Sequence, residues 1–139
     1  MEPAKKLPIG YWIKLADELL TKRIDEIQSS FGMTRTSWQI LNAIQEHGSI
    51  QETDLSRLLQ PFADTTAVEV FLTQLLSMEL IEQTGQQFTL TNKGKEQFLT
   101  CLEVQKNFRH TAMSGLTEED YRITLQTLQN IVNNIQGSF

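Results

Sequence analysis

At 139 residues, with 40% apolar and 21% charged side chains, the chain has room for one hydrophobic core and the composition of an ordinary globular domain. No apolar run approaches the ~20 residues of a membrane helix, and the start "MEPAKKLPIGYW" lacks the apolar segment of a signal peptide. A lone cysteine, Cys101, excludes an internal disulfide and fits a reducing, cytoplasmic setting.

The net charge of −5 is unevenly spread. Residues 1–57 carry seven Lys/Arg and eight Asp/Glu, residues 58–92 carry none and four, and residues 93–139 carry five and five. The acidic third therefore lies between Arg57 and Lys93, and it offers no cation to a polyanion.

In chain order, Ile9, Ile13, Ala16, Leu20, Ile24, Ile27 and Phe31 recur at spacings of three and four, which predicts a long amphipathic helix stopped near Gly32. "TRTSWQILNAIQEHG" predicts a second helix ended by Gly48. Thr36 and Gln39 stand at capping-box spacing, with Trp38, Leu41 and Ile44 inward. "SIQETDLSRLLQ" predicts a short helix with Leu55, Leu58 and Leu59 inward, closed by Pro61. Asp64 caps the next helix, in which Val68, Phe71, Leu72, Leu75 and Leu76 face the core.

Leu80 and Ile81 then pair with Phe88 and Leu90 around "QTGQQ", a small hairpin ending at Asn92. A helix from Lys93 to about Met113 follows, containing Phe98, Leu102, Val104 and Phe108. Gly115 breaks the chain and Thr117 caps a last helix, whose Tyr121, Leu125, Leu128, Val132 and Ile135 form a heptad-like stripe. The expected fold is mainly α (α+β): a winged helix-turn-helix core at about 34–92 with a hairpin wing. A linking helix at 93–113 and long terminal helices at 9–31 and 117–136 complete a single domain. The spare apolar surface of the terminal helices predicts pairing with a second copy through an isologous interface.

The segments "GMTRTSWQILNAI", "TDLSRLL", "AVEVFLTQLLSMELI", "FTLTNKGKEQF" and "GLTEEDYRITLQTLQNI", in that order and spacing, resemble the MarR family of bacterial winged-helix regulators over nearly the whole chain. "LTNKG" is similar to the family's LT-x-x-G, which closes the wing. The resemblance implies a dimeric transcription regulator that binds a palindromic operator and responds to a small ligand. Two departures touch the DNA contacts. Thr73 and Gln74 stand where the family has an Asp-Arg pair, and the wing "EQTGQQ" has no arginine.

Uncharged groups also contact phosphate and bases, so the candidate DNA-binding residues are Thr65, Thr66, Glu69, Thr73 and Gln74 on the recognition helix and Gln86 and Gln87 on the wing. Arg35, Arg57, Lys93 and Lys95 flank them as cations. Two readings of this surface stay open: a regulator that binds double-stranded DNA, or a winged-helix dimer without DNA binding that serves as a protein-interaction module.

Tyr11, Trp12, Trp38 and Phe108, with Phe31, are candidates for an aromatic-effector site or plain core. Cys101 has no basic residue one helical turn away and reads as an inert thiol. His47 and His110 lack partners at metal-ligand spacing. No phosphate loop, nucleophile elbow or acid/base pair indicates an enzyme, and no cofactor is expected.

Overall fold

A computed structural model describes residues 6–138. Its elements run α1 (Ile9–Ser30), α2 (Arg35–His47), β1 (Ile50–Gln51), α3 (Glu52–Leu59), α4 (Thr65–Ser77), β2 (Ile81–Thr84), β3 (Gln87–Leu90), α5 (Asn92–Ala112) and α6 (Glu118–Ser138). The chain divides into two compact units, one ending at Gln105 and one beginning at Lys106, with the boundary inside α5.

In the first unit, α2 is the hub. Ile40, Leu41 and Ile44 are wholly buried, and α2 packs against α3, α4 and β3, whose Leu55, Leu59, Val68, Leu72, Leu75 and Phe88 are buried as well. Leu58, expected inward, lies 48% exposed. In an eight-residue helix the inward positions are 55 and 59, one turn apart, and 58 falls beside them on the rim. The cap of α2 also differs from expectation. Thr34 is the N-cap, and its hydroxyl accepts from the Ser37 N–H at 3.1 Å while the Ser37 hydroxyl accepts from the Thr34 N–H at 2.8 Å. A serine here does what Glu or Gln does in the usual box, so the Thr36–Gln39 spacing misled by two residues.

The sheet has three strands in the order β1-β3-β2, all antiparallel. The expected hairpin forms, with Ile81 opposite Leu90 and Gln83 opposite Phe88. Leu80 precedes the strand and is buried. The third strand, Ile50–Gln51, pairs with Phe88 and Gln87, and two residues are too few for a periodic signal.

The α1 stripe is buried only at its C-terminal end, at Ile27 and Gln28, whereas Ile9, Tyr11, Trp12 and Ile13 are exposed. In the second unit, α6 is capped by Thr117, which exchanges hydrogen bonds of 3.0 Å with Asp120. Its Tyr121, Leu125, Val132 and Ile135 are exposed, and Leu128 is half-buried.

Candidate nucleic-acid interface

The turn between α3 and α4 sets α4 across α2. The N–H groups of Phe62 and Ala63 both donate to the Leu59 carbonyl at 2.8 Å, closing the turn. The Asp64 carboxylate then accepts from the Ala67 N–H at 2.8 Å and starts α4, as its sequence position implies. Val68, Leu72 and Leu75 fix one side of α4 against the core. Thr65, Thr66, Glu69, Val70, Thr73, Gln74 and Ser77 are left in solvent.

At about 100° per residue, Thr66, Val70, Thr73 and Ser77 share the centre of that outward face, with Glu69 and Gln74 on its two borders. The Thr73 hydroxyl donates to the Glu69 carbonyl at 3.0 Å and the Ser77 hydroxyl to the Gln74 carbonyl at 2.8 Å. Val70, half exposed, completes the face and went unnoticed in the sequence because the inward stripe drew the apolar residues of α4. The signal that finds it is its position one turn after Thr66.

The exit of α4 is tied to the wing. Its last carbonyls are answered by a Schellman pair, Leu80 N–H to Leu75 and Glu79 N–H to Leu76, each 3.1 Å. Glu79 takes φ 61 where glycine usually stands. Thr91 then sews the hairpin back. Its N–H donates to the Leu80 carbonyl at 3.1 Å, its hydroxyl donates to the Glu79 carbonyl at 2.6 Å, and the same hydroxyl accepts from the Gly94 N–H at 2.9 Å as the cap of α5. The Lys93 ammonium donates to the Met78 carbonyl at 3.2 Å. Gly94 lies against Leu80 so closely that a Cβ built on it would stand 1.8 Å from the Leu80 carbonyl oxygen. These contacts are the physical content of "LTNKG".

No family model matches this sequence, and no curated relative does. Solved structures do. MarR from E. coli in its reduced form aligns with TM-score 0.70 at 19% identity, over 90% of this chain and 93% of that one. The Mycobacterium tuberculosis MarR family protein Rv2887, in complex with DNA, gives 0.72 at 17% over 91% and 98%. A mutant of S. aureus MepR gives 0.77 at 17% over 93% and 99%. This chain has the MarR-type winged-helix fold.

Within that MarR-type frame, α4 is the second helix of the helix-turn-helix and the β2–β3 hairpin is the wing. Gln86 lies in the wing turn beside Gly85, whose φ is 62, and Gln87 is half-buried in β3 between Gln51 and Thr84. The flanking cations differ in freedom. Arg35 is held bidentately by Asp25 of α1 at 3.0 and 3.1 Å. Arg57 pairs with Asp54 at 3.3 Å, but both side chains are more than half exposed, so the pair is weak and a phosphate can replace the carboxylate. Lys93 stays near the exit of α4 through Met78, and Lys95 is exposed on the first turn of α5.

Each aromatic candidate has its own surroundings within its unit. Trp38 stacks on Phe98 with ring centroids 4.4 Å apart and planes 14° from parallel, a packed pair in the first unit. Tyr11 and Trp12 meet edge to face at 5.1 Å, exposed near the start of α1. Trp12 lies 15 residues, about 22 Å of helix, from the buried Ile27. Phe108 lies in the second unit, half-buried, and Phe31 is half-buried at the end of α1. The Cys101 thiol is buried, which pushes its pKa up, and the Gln105 amide donated to Sγ at 3.3 Å only partly opposes this. His47 contacts the Ala43 carbonyl through Nδ1 at 2.8 Å. Among the described residues, no cluster of three His, Cys, Asp or Glu has the arrangement of a metal site, and no helix is long and apolar enough to cross a membrane.

Proposed function

We propose that the protein is a DNA-binding transcription regulator that acts as a homodimer, with α4 entering the major groove and the wing meeting the backbone or minor groove. The carrying observation is the uncovered outward face of α4, held at both ends by the Asp64 cap and the Thr91 ties while the rest of the helix is packed. Arg57, Lys93 and Lys95 supply phosphate contacts from outside the reading segment, and Thr65, Gln86 and Gln87 add uncharged ones. The exposed apolar residues of α6 and of the first turns of α1 support the pairing of two copies. A small aromatic effector belongs to the same reading at the exposed Tyr11–Trp12 pair, where binding would quench the Trp12 fluorescence.

The second reading, a protein-interaction module, draws on the absence of Lys and Arg between Leu58 and Asn92 and on Phe62, 71% exposed in the turn before α4. Titration of the dimer against a labelled duplex library, at low and moderate salt, separates the two. The regulator gives saturable, sequence-selective binding that Thr66→Glu and Gln74→Glu abolish without unfolding. The three flanking cations per copy limit the slope of log K against log salt to about −5 for the dimer. No selective binding at low salt would leave the interaction module.

A further inference from the structure

We infer that α4 reads thymine methyl groups, so that the bound sites carry A·T pairs at the positions opposite Val70 and Thr73. The inference rests on the DNA-binding reading and names what that face selects. Three observations carry it. The centre of the outward face holds Val70, which has no polar atom on its side chain and is half exposed. The Thr73 hydroxyl proton is donated to the Glu69 carbonyl and the Ser77 proton to the Gln74 carbonyl, so neither has a proton left for a base acceptor, and the γ-methyl of Thr73 is its apolar contribution to the face. The face carries no lysine or arginine, the residues that best match the two acceptors, N7 and O6, of a guanine edge.

The borders agree with this chemistry. Gln74 can pair bidentately with the N6 amino group and N7 of adenine, the partner of a contacted thymine. Glu69, acceptor only when ionised, accepts equally from the amino group of adenine or of cytosine, so it excludes a guanine or thymine acceptor edge beside it without itself selecting A·T. An exposed valine at the middle of a recognition helix is thus accounted for by the one apolar group the major groove displays, the thymine C5-methyl.

The test begins with selection from a duplex library with a randomised core of about two helical turns, ~20 base pairs. The enriched sequence is then remade with deoxyuridine for thymine, one position at a time. The expected result is A·T enrichment and about a fourfold loss of affinity for each contacted methyl removed, the factor implied by losing one buried methyl group. Val70→Ala, whose fold is checked by circular dichroism, loses affinity for the thymine duplex and no longer distinguishes it from the uridine one. Selective binding that is indifferent to every uridine replacement, or a guanine-rich consensus, overturns methyl readout and leaves the regulator standing. Absence of any selective binding overturns both.

Discussion

Gly94→Ala sets two physical effects against each other, and the structure decides the sign. Position 94 lies in the first turn of α5, where alanine in place of glycine is worth up to about 1 kcal/mol of helix propensity. The added methyl, however, would stand 1.8 Å from the Leu80 carbonyl oxygen and 2.7 Å from its carbon. A carbon–oxygen contact needs about 3.4 Å, so the base of the wing must open by roughly 1.6 Å. The obstacle is backbone, which cannot rotate away as a side-chain tip can. Opening on that scale breaks the Thr91 N–H to Leu80 bond and strains the Thr91 hydroxyl bond to Glu79.

Two hydrogen bonds are worth about 1–3 kcal/mol, and leaving the buried Leu80 carbonyl without a partner adds about 1–3 kcal/mol more. After the propensity gain is set against them, the net loss is about 3 kcal/mol, or about 10 °C in Tm for a chain of this size. The control is Gly10→Ala in the first turn of α1, where an added Cβ meets nothing within 4 Å. It should leave Tm unchanged or slightly higher. Both are read by thermal circular dichroism at one protein concentration, since the proposed pairing of two copies would make Tm concentration-dependent. A Gly94→Ala Tm equal to or above the parent's would refute the carbonyl contact and, with it, this account of the "LTNKG" segment.

Asp64→Ala should cost about 1 kcal/mol by freeing the Ala67 N–H, and Asp64→Asn should cost little, since asparagine caps equally well; equal losses in urea melts would contradict the cap. Glu79→Gly should raise stability by about 1 kcal/mol, because φ 61 costs an L side chain what it does not cost glycine. For Cys101 the sign follows from its raised pKa: the folded state holds the thiol proton more tightly, so this contribution is complete below the unfolded thiol value of about 8.5 and declines as pH climbs above it. Cys101→Ala should therefore flatten the alkaline fall in urea midpoint relative to the parent chain, and parallel curves would count against burial of the thiol. Leu128→Asp places a charge in the α6 stripe and should give monomer or unfolded chain by light scattering; a dimer that persists shows that α6 is not the pairing surface.

Which features the sequence displayed depended on how many residues shared the signal. The α2 and α4 helices repeat their apolar spacing over three turns and were legible, and so was the Asp64 cap, because an acidic side chain just before an apolar run has few other uses there. The two-residue strand β1 has no period to show, and the α2 cap hid behind a serine standing in for the expected Glu or Gln. At the interface the same rule runs in reverse. Inward residues of α4 announce themselves by their stripe, while outward ones are defined only by what remains, and an apolar remainder such as Val70 is assigned to the core by default. Nor does sequence tell whether a threonine offers its hydroxyl or its methyl. Part of the answer lies in the backbone carbonyl four residues earlier, and at Thr73 the carbonyl of Glu69, already within the helix ladder, takes the hydroxyl proton as well. The chemistry that α4 can present to a partner is thus decided partly by its own backbone: at the centre of a face read from residue letters as Thr and Gln polarity, Val70 is apolar and the Thr73 and Ser77 hydroxyl protons are already given to backbone carbonyls.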